Sequence, residues 1–285
     1  MKKMLISAII AVMSIVGIAN ADEMLKPIDM AAMSKPEGKV PTYLVGTYED
    51  VPSATAKLKK AGYTIVGTYS VLNSGTTVLF TDTALKTEAA KKNRGFMALL
   101  RLYVDKKDNQ ISITNPIYFG KAFMQDDYSQ DVFYNELKTL TTVFSDLKGS
   151  VDQLKFDNLG NYHFMFSMPY YEDSQTVGKG NAADLFAKAK AYNGGKSFLF
   201  SVQLSANSYI VGYALSKDIS KFPKKIGMQN GLVLPYLILI ADGKAKILSA
   251  KYYLAISYPL LSMGEFMTIS SVPGDIEEYL KKPFQ

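Results

Sequence analysis

Apolar positions in this chain follow two rhythms. Short runs such as "TIVGTYSVL" (64–72), "TTVLF" (76–80), "SFLFSVQL" (197–204) and "SYIVGYAL" (208–215) are rich in β-branched and aromatic residues and predict strands. A longer period marks the helices. In "SATAKLKKAGY", Ala54, Leu58 and Ala61 fall at helical spacing and Gly62 supplies the stop. "NAADLFAKAKAYNGG" opens on Asn181 as N-cap, with Asp184 three residues on, and ends at Asn193-Gly194. "TALKTEAAKK" and "SKDISKFPKKI" predict short helices. "SQDVFYNELKTLTTVFSDL" places Phe133, Leu137, Leu140, Phe144 and Leu147 on one face, and "GDIEEYLKK" does the same with Ile276, Tyr279 and Leu280.

The pattern is written twice. Leu99 to Phe119 lines up without gaps on Val233 to Tyr253 at a constant offset of 134, pairing Asp108 with Asp242 and Tyr118 with Tyr252. Each stretch reads as strand, turn, strand, with the turn at Asp108-Asn109 or Asp242-Gly243, residues that tolerate positive φ. "TYED" (47–50) matches "YYED" (170–173) ahead of a helix. These matches predict a β-α-β-β-α-β-β-α unit in two tandem copies. The fold class is α+β, each copy a mainly antiparallel sheet with helices on one face. Expected boundaries are a first unit at 40–149, a linker at 150–160 and a second unit at 161–285. Two such units can pair about a pseudo-two-fold axis.

The N-terminus adds a destination. Lys2 and Lys3 precede an uncharged run from Met4 to Ile18, and Ala19-Asn20-Ala21 is a small-x-small cleavage site. Residues 1–21 therefore read as a secretory signal peptide cleaved after Ala21, and 22–39 as a leader that need not be ordered. The expected location is the periplasm, with no integral membrane segment after cleavage. The chain contains no cysteine, so disulfides, thiolate metal sites and covalent haem attachment are excluded. The formal charge of +6 includes the two leading lysines, and the others are mixed with acids rather than gathered in a basic tract. No nucleic-acid partner is expected.

The hairpin stretches carry a resemblance. A glycine-ended helix, a strand, a short helix and then "LP-strand-acidic turn-strand-NP" resembles the family called domain of unknown function 302 (DUF302). The motif is split here. Leu234-Pro235 opens the second hairpin where the first has Leu100-Arg101, and Asn115-Pro116 closes the first where the second has Ser249-Ala250. The resemblance implies a compact α+β domain, often exported, and carries over no catalytic residues.

Candidate chemistry is thin. The only histidine, His163, stands in "NYHFMFSMPYYED" (161–173), read here as the opening strand of the second unit. A soft Cu(I) site of His163, Met165 and Met168 is one reading, and apolar filler is the plainer one. A strand would set Met168 on the face opposite His163 and Met165. Glu49, Asp50, Glu172 and Asp173 are a duplicated pair of acids, suited to acid-base work if buried and to helix capping if not. Tyr118 and Tyr252 suit an aromatic-lined cleft. "GKGNAA" (178–183) superficially matches a dinucleotide loop, but no strand is expected to lead into it. No cofactor is predicted. The leading expectation is a non-catalytic binding or interaction protein, with a small-molecule ligand between the repeats or a periplasmic protein partner. The alternatives are an enzyme of unfamiliar type using Glu49, Glu172, Tyr118 and Tyr252, or a copper- or haem-handling protein using His163 and methionines.

Overall fold

Side-chain caps fix where the main helices begin. Asp50 accepts from Ser53 N, and Asn181 accepts from Asp184 N, each satisfying an otherwise orphaned donor of the first turn. These two caps are related by an offset of 131, close to that of the hairpins. The structure is a computed structural model that describes residues 25–285; the expected signal peptide and its cleavage site lie outside the described residues.

The first unit runs α1 (Met30–Met33), β1 (Lys39–Pro41), β2 (Tyr43–Thr47), α2 (Val51–Lys60), β3 (Thr64–Val71), β4 (Gly75–Thr81), α3 (Thr83–Ala89), β5 (Leu100–Asp105), β6 (Gln110–Thr114), α4 (Pro116–Met124), α5 (Gln130–Val143), β7 (Lys148–Gly149), β8 (Gln153–Lys155) and α6 (Phe156–Leu159). The second runs β9 (Gln175–Lys179), α7 (Ala182–Ala191), β10 (Phe198–Ser205), β11 (Ser208–Tyr213), α8 (Pro223–Ile226), β12 (Tyr236–Ala241), β13 (Lys244–Ile247), α9 (Ala250–Ser257), α10 (Met263–Thr268) and α11 (Val272–Lys281). This is an α+β fold built on antiparallel sheets. The six-stranded sheet has the order β3-β4-β5-β6-β2-β7, and the five-stranded sheet has the order β10-β11-β12-β13-β9. Strand for strand the connection is the same, and β7 is an addition at one edge. A third sheet pairs β1 with β8.

The helix faces fall where their spacing puts them. Phe133, Leu137, Leu140, Phe144 and Leu147 are buried, as are Ile276 and Leu280. The second hairpin turns on Asp242 and Gly243 at φ 52° and 70°, the geometry of a two-residue loop that matches strand twist. In the first, a four-residue loop runs from Lys106 to Asn109, and only Asn109 takes positive φ, at 52°.

Several expectations are corrected. Residues 161–173 are not a strand. They form turns and loop, with Ser167 at φ 68°, and the opening strand of the second unit is β9. Pro169 cannot donate to a ladder, which disfavours a strand there. β9 is an edge strand in which only Val177 is buried, so its sequence lacked an apolar signal. The "YED" match is therefore out of register with the shared strand order, in which the helix after β2 is capped by Asp50 and the helix after β9 by Asn181 rather than Asp173. Residues 150–160 are not a linker, because β8 within them pairs with β1. The described part of the leader is ordered. Lys26 bridges to Gly149, and α1 buries Met33. Each hairpin is followed by a helix, α4 or α9, that was expected to be strand. A strand also leads into "GKGNAA", but β9 runs antiparallel to β13, so no βαβ crossover forms. Gly178 is small because the Phe284 ring lies 2.6 Å from where a Cβ would stand.

The two units meet reciprocally. Tyr118 of α4 donates to the Ile256 carbonyl of α9 at 2.8 Å, and Tyr252 of α9 donates to the Ala122 carbonyl of α4 at 3.4 Å. Both partners are related by the offset of 134, so residue i meets j and j's equivalent meets i's, as in a two-fold interface. β3 lies against its counterpart β10, where the Phe200 ring packs into space left by Gly67 and Gly212. Buried side chains of both units form one continuous core. Tyr118→Phe is expected to lower stability by about 1 kcal/mol. Tyr252→Phe should cost less, because its bond is longer and Gln125 also donates to Ala122 O. Urea denaturation checks both; no loss from either substitution would contradict the reciprocal account, and equal losses would contradict only the ranking.

Candidate ligand-binding cavity

A cavity lies between the units, where α4, β5 and the turn at Gly95–Met97 face β12 and α9. Phe96, Met97, Leu99, Phe119 and Phe123 line it from one side, and Tyr236, Leu237, Leu248 and Tyr253 from the other. Phe119 and Tyr253 are equivalent positions at the offset of 134, as are Thr114 and Leu248. Its free space is about 30 Å³. One water needs about 10–15 Å³ by that measure, so about two waters or one small polar group fit.

The polar side chains in this mainly apolar setting are Arg101, Thr114 and the phenols Tyr236 and Tyr253. Arg101 sits on β5, in the run "ALLRLYV", and is 3% exposed. Its backbone N–H donates to Thr114 Oγ1 at 3.0 Å. Its Nη1 donates to the Leu232 carbonyl at 2.8 Å, across the unit boundary. Its Nη2 is buried and has no partner among the described residues. The guanidinium lies 5.8 Å from the centroid of the Tyr253 ring. Among the described residues no carboxylate forms an ion pair with it. A guanidinium stays charged in any protein setting, and burying it without a counter-charge costs several kcal/mol.

The phenols around it do not supply that charge. Burial pushes the hydroxyls of Tyr43, Tyr236, Tyr253 and Tyr258 up, and the pull of Arg101 offsets this only in part. All four remain neutral near pH 7. The Asp152 carboxyl is also pushed up by burial, with no cation acting on it. Three phenols instead close the end of α9. Tyr162, Tyr118 and Tyr43 donate to the carbonyls of Ala255, Ile256 and Ser257 at 3.2, 2.8 and 2.9 Å. The Ala255 carbonyl also accepts from the Tyr258 N–H at 3.3 Å, whereas Ile256 and Ser257 lie in the last turn, where carbonyls lack a helical partner, so the tyrosines satisfy them and hold the cavity wall.

The expected site residues are dispersed. Tyr118 and Tyr252 come together at the unit boundary, but their hydroxyls are spent on helix carbonyls. Glu49 pairs with Lys57 and accepts from Ser53 Oγ at 3.2 Å. Glu172 pairs with Arg94 Nη1 at 2.9 Å, on the outside of the molecule. Neither carboxylate lines the cavity. The Nδ1 of His163 contacts the Met165 carbonyl at 2.8 Å, and its ring lies 4.5 Å from that of Tyr170. Met165 is exposed on the same loop, beside Phe166, which is 93% exposed. Among the described residues no cluster of three or more histidine or acidic side chains is placed to hold a metal. No helix among them is long and apolar enough to cross a membrane.

Arg101 was not among the residues singled out from sequence. The signal was present, since a lone charge inside "ALLRLYV" implies a buried cation, and Arg101 stands where the other hairpin has Pro235. No family model, no curated protein and no solved structure matches this chain.

Proposed function

We propose that this is an exported, non-catalytic protein that binds a small molecule in the cavity between its two units. The observation that carries the reading is the buried Arg101, which has an unpartnered nitrogen and lines a mainly apolar cavity. Apolar walls with a few placed polar groups are the usual composition of a small-ligand site. The dispersal of Glu49 and Glu172 away from the tyrosines gives no support to the enzyme alternative. Export to the periplasm rests on the pattern of residues 1–21. The shared strand order and the reciprocal tyrosine bonds support a tandem duplication.

Native mass spectrometry of the purified protein tests the binding role. A retained mass above that of the polypeptide, lost on denaturation, is expected. Saturating ligand at about a hundred times its Kd should add about 2.7 kcal/mol of stability. A bare polypeptide mass, together with no saturable stabilisation by any small-molecule probe, would contradict the proposal.

A further inference from the structure

We infer that the ligand of this cavity is a small monocarboxylate, its carboxylate held by the free Nη2 of Arg101 and its alkyl part by the aromatic walls. This deepens the reading of the cavity as a binding site and rests on it. Three observations converge.

The first is charge. Arg101 is 3% exposed and forms no ion pair among the described residues. The groups that face it are phenols and the Leu232 carbonyl, so no described residue supplies the missing negative charge and a bound anion would. The second is valence. One guanidinium with one free nitrogen matches one negative charge. A sulfate, a phosphate or a dicarboxylate would bring further charge against Phe96, Phe119, Phe123 and Leu237, which cannot solvate it. The third is shape. A guanidinium edge presents parallel N–H groups that suit the planar carboxylate. A space of about 30 Å³ admits a compact head with little more, and walls of ring and methyl groups favour an alkyl continuation over a second polar group.

The alignment of the two units sharpens this. Their equivalent positions at the cavity are mostly apolar on both sides, whereas Arg101 stands opposite Pro235. The cation therefore belongs to one unit alone, and the site takes one anion per chain rather than two.

The test is titration calorimetry and thermal unfolding of the full chain at constant ionic strength. The probes are sodium formate, acetate, butyrate and hexanoate, with butyramide, sodium chloride and sodium sulfate as comparators. Saturable binding of acetate or butyrate, with none for butyramide, is expected at one site per chain. Arg101→Met should weaken that binding on the order of a hundredfold. Arg101→Lys keeps the charge, loses the fork and should bind with intermediate affinity. If Arg101→Met does not fold, the wild-type preference for butyrate over butyramide and the lysine variant still decide the matter. Equal binding of butyramide would overturn the carboxylate while leaving a small-molecule cavity in place. Chloride or sulfate matching butyrate would overturn it in favour of a general anion site. No saturable binding of any probe, with a bare native mass, would remove both the inference and the reading beneath it.

Discussion

Raising the pH from about 5 to 8 is expected to destabilise this protein steadily, and Glu136→Gln to remove most of that loss. Glu136 lies on α5, is 5% exposed and accepts from the Tyr63 hydroxyl at 2.6 Å. Burial pushes its pKa from 4.5 up to about 8. The phenol hydrogen bond works against this, and the neighbouring Asp82 carboxylate adds to it. The native chain therefore keeps a proton that the unfolded chain releases. Below pH 4.5 both states hold it and no penalty arises. Between there and about pH 8 stability falls by about 1.4 kcal/mol per pH unit from this group, and above pH 8 the loss levels off. The accumulated effect is on the order of 4 kcal/mol. Asp105 and Asp152, also raised by burial, act in the same direction. The difference between wild type and Glu136→Gln isolates the glutamate, since the amide oxygen still accepts from Tyr63 and cannot ionise. Urea denaturation at pH 5, 6.5 and 8 measures it. Parallel curves for the two proteins would show that Glu136 ionises at its ordinary value in the folded chain and would contradict this account.

Phe123→Ala is expected to destabilise the whole molecule by about 3–5 kcal/mol in one cooperative step. Phe123 is 5% exposed on α4. Its ring lies 5.5 Å from that of Phe119, 5.6 Å from Tyr171 and 6.4 Å from both Tyr252 and Tyr253. It thus belongs to the first unit while packing against helix α9 of the second. Removing it opens a void that this rigid aromatic cluster cannot collapse to fill, so a cavity penalty adds to the lost transfer energy. Because the two units share a continuous core, the loss should fall on both. Calorimetry or denaturant unfolding with separate far-ultraviolet and tyrosine signals will show this as coincident transitions moving together. Two separate transitions, with only one displaced, would mean that the units fold independently and that their interface contributes little.

Much of this architecture was legible in the sequence, and the reasons differ by element. The hairpins were legible because their strands are apolar on both sides and their turns carry Asn109 or Asp242-Gly243. The caps Asp50 and Asn181 were legible because capping is a local matter of one side chain and one turn. What failed was the start of the second unit. An edge strand with one buried residue leaves no periodic trace, whereas the apolar loop before it, with Phe164, Met165, Phe166 and Met168, imitates a strand. That loop does not bury its apolar residues as a strand in the core would. The Phe164 ring packs at 6.1 Å on Phe266 of α10, and Phe166 remains exposed. The helices α4 and α9 were missed for a related reason. Their residues are buried on nearly every side, between the units, so no polar face marks a helical period.

The candidate site was legible only in part. Tyr118 and Tyr252 were picked out as equivalents, and the structure places them at the boundary between the units. Their role is to satisfy carbonyls, which depends on a partner unit that no local pattern reveals. Glu49 and Glu172 drew notice through a match that proved out of register. Arg101 escaped because a single charge in an apolar run resembles a tolerated exception until its surroundings are known. Its meaning comes from tertiary structure: a buried cation, one hydrogen bond to Leu232, one nitrogen left over and apolar walls around it.

The central claim is that the space beside Arg101 is built to receive an anion. A crystal structure of the full chain grown with acetate tests it most directly. The account predicts a carboxylate oxygen at about 2.7–2.9 Å from Arg101 Nη2 and the methyl group against the apolar wall. Ordered water alone at Nη2, with no acetate in the cavity at a saturating concentration, would contradict it.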